Sequence, residues 1–423
     1  LNAVTTDKPV ILFVDDERGV LDGLRRQLRR SRDDWDMRFV TSGEAAIEVF
    51  AAGPVDILVT DVRMPGVDGL TLLREVRARH PEAVRFVLSG YSPPAEERAV
   101  YQVAHRVLPK PCEQGQLAHN LRQAVAVRAV VPDRRVRALV GGVERLPSVP
   151  RIYSQLQSVL HDAESDAQAV ARVIERDAVM LAAVLRGANS AIFARATPVT
   201  RVRDAVTYLG RRMVTSIVLG VAMLDRFRES GISGSALRLF QAHAMAVANV
   251  AMRLVERRDR DDAYAAAMLH DIGQLVLCMA FGEVYDGISS LDRDRLVAAE
   301  AELFATTHDQ VGAYLLGLWG LPVEVVAAVA QHHSPLADGE PEVSRAIRIA
   351  ELIVDATQTG DEDSKATLDA LPLTEEERSR AESWLSDAAP RTPPTTRAVV
   401  RPVRTSPPST VAKRPVTYRR SGH

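Results

Sequence analysis

Val10-Ile-Leu-Phe-Val-Asp-Asp16 is a short apolar run, rich in β-branched and aromatic residues, that ends on two adjacent carboxylates. Ile57-Leu-Val-Thr60 and Val84-Arg-Phe-Val-Leu88 repeat the pattern and lead into Asp61 and Ser89, and a fourth apolar stretch stops just before Lys110. Helix-length amphipathic segments separate these runs. Strand and helix patterns in alternation predict a parallel α/β sheet. In an open sheet of this kind chemistry collects beyond the carboxyl ends of the strands. Asp15, Asp16, Asp61, Ser89 and Lys110 all fall there and form the first candidate site.

Two adjacent acids and a third from another strand give a hard oxygen cage suited to Mg2+, an ion that keeps several waters and takes one or two carboxylates. One carboxylate can then attack a phosphoryl group while the metal and a lysine ammonium neutralise the charge of the transition state. A single acid at a strand end is commonly a solvated loop residue, so the conjunction of five carries the reading. Residues 8–131, with Asp15-Asp16, Asp61-Val-Arg-Met-Pro-Gly-Val-Asp-Gly69, Ser89-Gly90 and Lys110-Pro111, resemble the receiver domain of two-component response regulators from end to end. The resemblance implies a flavodoxin-like, doubly wound, five-stranded parallel sheet. It also implies that Asp61 accepts a phosphoryl group from a histidine kinase. Asp15, Asp16, Asp61 and the backbone carbonyl of Arg63 would bind Mg2+, Ser89 would be the switch hydroxyl, and Lys110 would contact the phosphate. One position departs from the family: the aromatic switch residue expected three places before the lysine is Val107, with Tyr91 and Tyr101 as candidate substitutes.

The chain has 423 residues, 46% of them hydrophobic, enough for two or more domains with real cores. No run approaches the roughly 18 consecutive apolar residues that a membrane span requires, and the N-terminus carries no signal core, so a cytoplasmic chain without membrane insertion is expected. Cys112 and Cys278 lie far apart and near no metal-ligand spacing, which suggests reduced thiols. The net charge of −2 gives no global reason to expect nucleic-acid binding. From Ala388 onward, however, there are seven prolines, eight Lys or Arg and no Asp or Glu, so the rest of the chain carries −2 less +8, or −10. Such a composition cannot bury enough area to offset the entropy of ordering, and residues 387–423 read as a disordered basic tail.

Leu117, Leu121 and Val125 mark the last helix of the first domain, and Pro132 stops it. A short charged helix from Asp133 leads to Gly141-Gly142, read as a hinge within a linker over 132–145. Beyond it, 146–386 offers a dozen or so alanine- and leucine-rich amphipathic segments and no strand alternation, which predicts an all-α domain. Segments 152–161 and 166–175 are separated by a stop-and-recap signal at Asp162 to Ser165.

Five of the ten histidines, His243, His270, His308, His332 and His333, lie between 243 and 333, on or at the ends of four predicted helices. A lone helical histidine is more often an ordinary core or surface residue than a ligand. His270-Asp271, however, sits between the apolar runs Ala266-Ala-Met-Leu269 and Leu275-Val-Leu277, where a charged pair without a partner would be costly. A shared metal is the natural compensation. Leu146-Pro-Ser-Val-Pro150, Ile174-Glu-Arg-Asp177, Ala188-Asn-Ser-Ala191, Leu269-His-Asp-Ile-Gly273, His308-Asp-Gln-Val-Gly-Ala313, Trp319-Gly-Leu-Pro322 and His332-His333 resemble, in order, the HDOD-type branch of the HD superfamily. By that resemblance the domain is HD-like, with His243, His270, Asp271, His308, His332, His333 and Glu351 as the second candidate site. Asp355 lies one turn beyond Glu351, and the metal would be Fe, Mn or Zn. HDOD-type domains serve as protein-interaction outputs, whereas HD-GYP relatives hydrolyse cyclic dinucleotides. The HD-GYP lysine after His-Asp-Ile-Gly is Gln274 here, and the Gly-Tyr-Pro stretch is replaced by residues 334–341, so the sequence leans away from catalysis.

The sequence thus favours a response regulator with a cognate histidine kinase and an unidentified downstream protein partner, a homodimer being one candidate assembly. The alternative is a receiver-regulated, metal-dependent phosphohydrolase acting on a nucleotide or cyclic dinucleotide. A transcription factor is disfavoured, since no helix-turn-helix with a basic recognition helix follows the first domain.

Overall fold

The computed structural model describes residues 8–90, 99–100, 103–110, 112, 115–143, 146, 150–162, 165–190, 193, 197–337, 339–358 and 368–388. Tyr91, Tyr101 and residues 389–423 of the expected tail lie outside them.

Five parallel strands, β1 (Val10–Val14), β2 (Asp36–Val40), β3 (Ile57–Asp61), β4 (Val84–Ser89) and β5 (Arg106–Pro109), form one sheet in the order β2-β1-β3-β4-β5. This is the doubly wound order expected from the sequence. Successive side chains point to opposite faces of a strand. Ile11, Phe13, Ile57, Val59 and Phe86 therefore pack toward helices Arg18–Gln27 and Gln116–Val130, while Leu12, Val14, Leu58 and Val87 pack toward helices Gly43–Ala52 and Gly69–Arg79. Ser42 and Asp68 cap the latter two helices through hydrogen bonds from the amides of Ala45 and Thr71. Gly69 sits where a Cβ would lie 1.8 Å from the carbonyl oxygen of Asp61, so only glycine lets its helix start directly behind β3.

After the sheet, the described residues are helical. Helices Arg151–His161, Ala167–Ile174, Ala178–Ala188 and Val202–Leu209 lead into the long pair Arg211–Glu229 and Gly234–Leu254, and then to Arg260–Leu269 and Ile272–Phe281. Helices Arg293–Phe304, His308–Leu318, Val323–Gln331, Glu342–Gln358 and Glu375–Ala388 complete the domain. The break after His161 is recapped by Asp166, whose side chain accepts from the amide of Ala169 at 2.9 Å. The final helix reaches Ala388, at the edge of the expected tail. The stretch Arg257–Phe281 is long and apolar enough to cross a membrane by length and composition, but 83% of its most apolar window is buried inside the fold.

The two parts share one core: the outer face of the sheet, helix Gln116–Val130 and the central helices form a single apolar cluster. Gly141 and Gly142, read as a hinge, are the last residues of helix Arg134–Gly142. A Cβ on Gly141 would lie 1.8 Å from the Pro81 carbonyl oxygen, and the Gly141 carbonyl accepts from the buried Arg85 guanidinium at 2.9 Å. The glycine pair is thus a place of close approach to the sheet domain. Neither Cys112 nor Cys278 is in a disulfide, and burial pushes their thiols up, to about 11 and about 12.

Candidate functional sites

The first site lies at the carboxyl edge of the sheet. Asp15 follows β1, Asp61 ends β3 and Lys110 follows β5, and the lysine Nζ bridges the two acids at 2.6 Å from Asp15 Oδ2 and 2.8 Å from Asp61 Oδ1. Burial works against the charge on Lys110, but the hydrogen bonds it donates to Asp15 and Asp61 outweigh it and raise the ammonium above its usual pKa. Asp15 is buried and its Oδ1 accepts from the Glu17 amide at 3.0 Å, whereas Asp16 is exposed and Asp61 is half-buried. The Arg63 amide donates to Asp61 Oδ2 at 3.3 Å. Ser89 ends β4 opposite Pro109 and one residue beyond Leu88, the partner of Asp61, and its carbonyl accepts from the Lys110 amide at 2.7 Å. All five polar residues therefore meet at one edge. Val107 pairs with Val87 and packs into the inner apolar cluster, so this position is aliphatic filling.

The second site is buried among helix ends. His270 and Asp271 join helices Arg260–Leu269 and Ile272–Phe281, His308 begins its helix, His332 and His333 follow Gln331, and Glu351 lies within Glu342–Gln358. Gly273 makes this convergence feasible, because a Cβ there would lie 1.9 Å from the His308 carbonyl oxygen. Around Asp271 stand His308 Nε2 at 3.1 Å, His270 Nε2 at 3.5 Å, and His243 Nε2 and His332 Nε2 each at 3.7 Å. His333 Nε2 lies 2.7 Å from His308 Nε2. Two groups of four ligand atoms, each within 4.8 Å, share Asp271 and His332: one adds His308 and His333, the other His270 and Glu351. His243 belongs to neither group, and neither does Asp355.

The protonation pattern fits a cation. His270 and His332 each place Nδ1 2.7 Å from the carbonyl three residues back, Ala267 and Val329, so Nδ1 carries the proton and Nε2 turns its lone pair inward. Those two Nε2 atoms and both Glu351 oxygens are buried without a hydrogen-bond partner. Buried polar atoms are rarely left so, and a metal ion would satisfy all of them. Burial keeps His270 neutral, with its pKa lowered to about 3. Burial also opposes a charge on His308, but Glu300 and Asp271 on its two sides raise it well above the imidazole range, so this point of the cluster attracts positive charge.

The family model of the response regulator receiver domain matches residues 11–122, and that of the HDOD domain matches residues 146–335. The chain joins a receiver domain to an HDOD domain. Over 129 residues, 29% of this chain and 25% of the relative, it is 35% identical to the hydrogenase transcriptional regulatory protein HoxA of Cupriavidus necator. Over 116 residues, 27% of this chain and 12% of the relative, it is 40% identical to the sensor kinase CckA of Brucella abortus. The chain spans a quarter to a half of the length of HoxA and of the Bacillus subtilis regulator YesN. An HDOD domain protein of unknown function from Geobacter sulfurreducens aligns over 62% of this chain and 95% of that one, at 23% identity and a TM-score of 0.47.

Two features of the receiver–HDOD pair escaped sequence reasoning. Glu300, fully buried, accepts a hydrogen bond from His308 Nδ1 at 2.7 Å. Arg106 on β5 carries a buried guanidinium out of the receiver and into the HDOD domain, where its Nε donates to the Leu318 carbonyl at 2.6 Å. Beside it, Gln123 Nε2 donates to the Gly320 carbonyl at 3.1 Å. An alternating strand pattern that places an arginine on the buried face was the available signal for the second.

Proposed function

We propose that this response regulator is phosphorylated on Asp61 by a histidine kinase and that its HDOD domain passes the signal to a protein partner. The observation that carries the reading is the Lys110 ammonium held between Asp15 and Asp61 at 2.6 and 2.8 Å, at the edge of the sheet. In the transfer, an Asp61 oxygen bonds to phosphorus as the phosphorus–nitrogen bond of the kinase phosphohistidine breaks, and the imidazole leaves with the electron pair. Lys110 lies where charge builds on the equatorial oxygens, and such a fixed cation is worth most at that moment. Asp15, Asp16, Asp61 and the Arg63 carbonyl are the groups that would hold Mg2+, which neutralises phosphoryl charge when bound. Ser89, on the neighbouring strand end, is the hydroxyl that would meet the new phosphate. A cytoplasmic location follows from this reading, because the phosphodonor is made there.

The signal has a physical route in the contact between β5 and the HDOD domain. A phosphoryl group carries a charge of about −1.5 to −2 in place of the single charge of the Asp61 carboxylate, and Lys110 lies directly after β5, four residues from Arg106. Domain limits of 8–131, 132–145, 146–386 and 387–423 suit this division of labour.

The inward Nε2 atoms of His270 and His332 support a second element of the reading, a Fe, Mn or Zn ion held by Asp271, His308, His332 and His333 or by His270, Asp271, His332 and Glu351. When bound, such an ion polarises an oxygen ligand or activates a water. Gln274 replaces the lysine of the hydrolytic relatives, so the protein-interaction output is preferred over phosphodiester hydrolysis. Metal analysis of the purified protein is expected to find an ion in the wild type and its loss in His270→Ala. Neither form is expected to hydrolyse cyclic dinucleotides or a generic phosphodiester. Hydrolysis by the wild type that disappears in His270→Ala would establish the phosphohydrolase instead.

A further inference from the structure

His270 and His332 stand at helix C-termini, where unused backbone carbonyls are at hand to take the Nδ1 proton. His308 stands at the opposite kind of helix end. It is the first residue of His308–Leu318, where the backbone offers unused N–H groups, and no helical turn before it supplies a carbonyl. Something else must take its proton, and Thr307 makes no side-chain cap there.

Glu300 meets both needs. Its Oε2 accepts from the His308 backbone amide at 2.8 Å and from His308 Nδ1 at 2.7 Å, while Oε1 accepts from the Tyr285 hydroxyl at 2.7 Å. Glu300 and Tyr285 are both fully buried, so this pair is held by the core and not by solvent. The turn that brings Glu300 back to His308 passes through Ala305, the one non-glycine residue with positive φ among the described residues, at +55°. That conformation is unfavourable for alanine, and the Ala305 amide closes the turn by donating to the Ala301 carbonyl. A carboxylate behind a ligating imidazole sets its tautomer and orientation and raises its basicity.

We propose that Glu300, held in turn by Tyr285, is the positioning residue of the histidine centre: it fixes His308 with Nδ1 protonated and Nε2 presented to a divalent cation. The proposal rests on the metal reading of the cluster given above. It assigns the seven residues between Glu300 and His308, with their strained turn, to shaping a ligand.

The test is Co2+ titration of the metal-stripped full-length protein, followed by calorimetry and by the visible absorption of the bound ion, for wild type and Glu300→Gln. Wild type is expected to bind, and Glu300→Gln to bind about 10- to 100-fold more weakly with a changed absorption envelope. Absence of binding by the wild type would remove the metal reading itself. Equal affinity and an identical spectrum in the two proteins would overturn the role of Glu300 while leaving the metal reading intact. Should circular dichroism show Glu300→Gln to be unfolded, Tyr285→Phe, which deletes only the hydroxyl behind the carboxylate, decides. A severalfold weaker Co2+ affinity in that variant supports the proposal, and wild-type affinity and spectrum sink it.

Discussion

Asp61→Asn is expected to abolish labelling of the protein by acetyl phosphate and Mg2+, leaving incorporated phosphate at background. The amide is close to isosteric with the carboxylate but is not a nucleophile, and the neighbouring acids are poorly placed to take over. Asp15 is 2% exposed and already receives Lys110 Nζ and the Glu17 amide, so an attack from it would break both contacts. Asp16 is exposed and shares no hydrogen bond with Lys110 in the structure, so it lacks the cation that stabilises charge on the transferring group. Phosphate incorporation followed by mass spectrometry checks the outcome, and Asp61→Asn protein that still labels on Asp15 or Asp16 would defeat the assignment of the acceptor.

The second large effect concerns Arg106. Its guanidinium donates to the carbonyls of Leu318 and Gly317 at 2.6 and 3.4 Å and to Gln123 Oε1 at 3.3 Å, and it also contacts Asn120 Oδ1. Burial lowers its pKa to about 10, so it stays charged at neutral pH. A cation at the end of His308–Leu318 also suits the negative end of the helix dipole. Arg106→Met keeps much of the length but leaves these acceptors without a donor, each at a cost of about 1–3 kcal/mol, partly offset because a buried charge no longer has to be desolvated. A net loss of about 2–4 kcal/mol is expected. Trp319, buried one residue beyond Leu318, gives a natural fluorescence reporter for the urea midpoint. An unchanged midpoint would mean that the contact between the domains carries no energy.

The adjoining glycines belong to the same joint. A Cβ on Gly317 would lie 2.1 Å from Val127 Cγ2, and one on Gly320, at φ +79°, would lie 2.0 Å from an Arg106 nitrogen. Gly317→Ala is therefore expected to lower the urea midpoint by an amount equivalent to about 1–3 kcal/mol through overpacking. A stability equal to wild type would show that the receiver and HDOD domains part without cost.

Where residues announce themselves by pattern, the sequence was readable. Apolar runs ending on Asp15, Asp61 and Ser89 gave the sheet and its reactive edge, because strand length, β-branching and a terminal polar residue all agree locally. β2 gave no such sign: Asp36-Met-Arg-Phe-Val40 is an edge strand, half-buried throughout, with Arg38 paired to Asp36 on its surface. The histidine cluster was legible as a set of residue types, but its geometry was not, since it depends on where four helix ends meet the middle of helix Glu342–Gln358. Glu300 was invisible because its role arises from a turn and from the polarity of a helix terminus, neither of which has a spacing signature. Arg106 was missed and Gly141 was read as a hinge for a related reason: their partners are backbone carbonyls of distant segments, which no side-chain pattern records.

Helix His308–Leu318 is about 16 Å long at 1.5 Å per residue. Its first residue belongs to the histidine cluster and its last carbonyls rest on Arg106 from the strand that leads into Lys110. A short rod gripped at both ends has no private end. If phosphorylation of Asp61 displaces β5 and thereby changes the affinity of the cluster for its ion, the ion must change the phosphorylation equilibrium by the same factor. The cell's supply of that metal would then enter the equation for how long a kinase's message lasts.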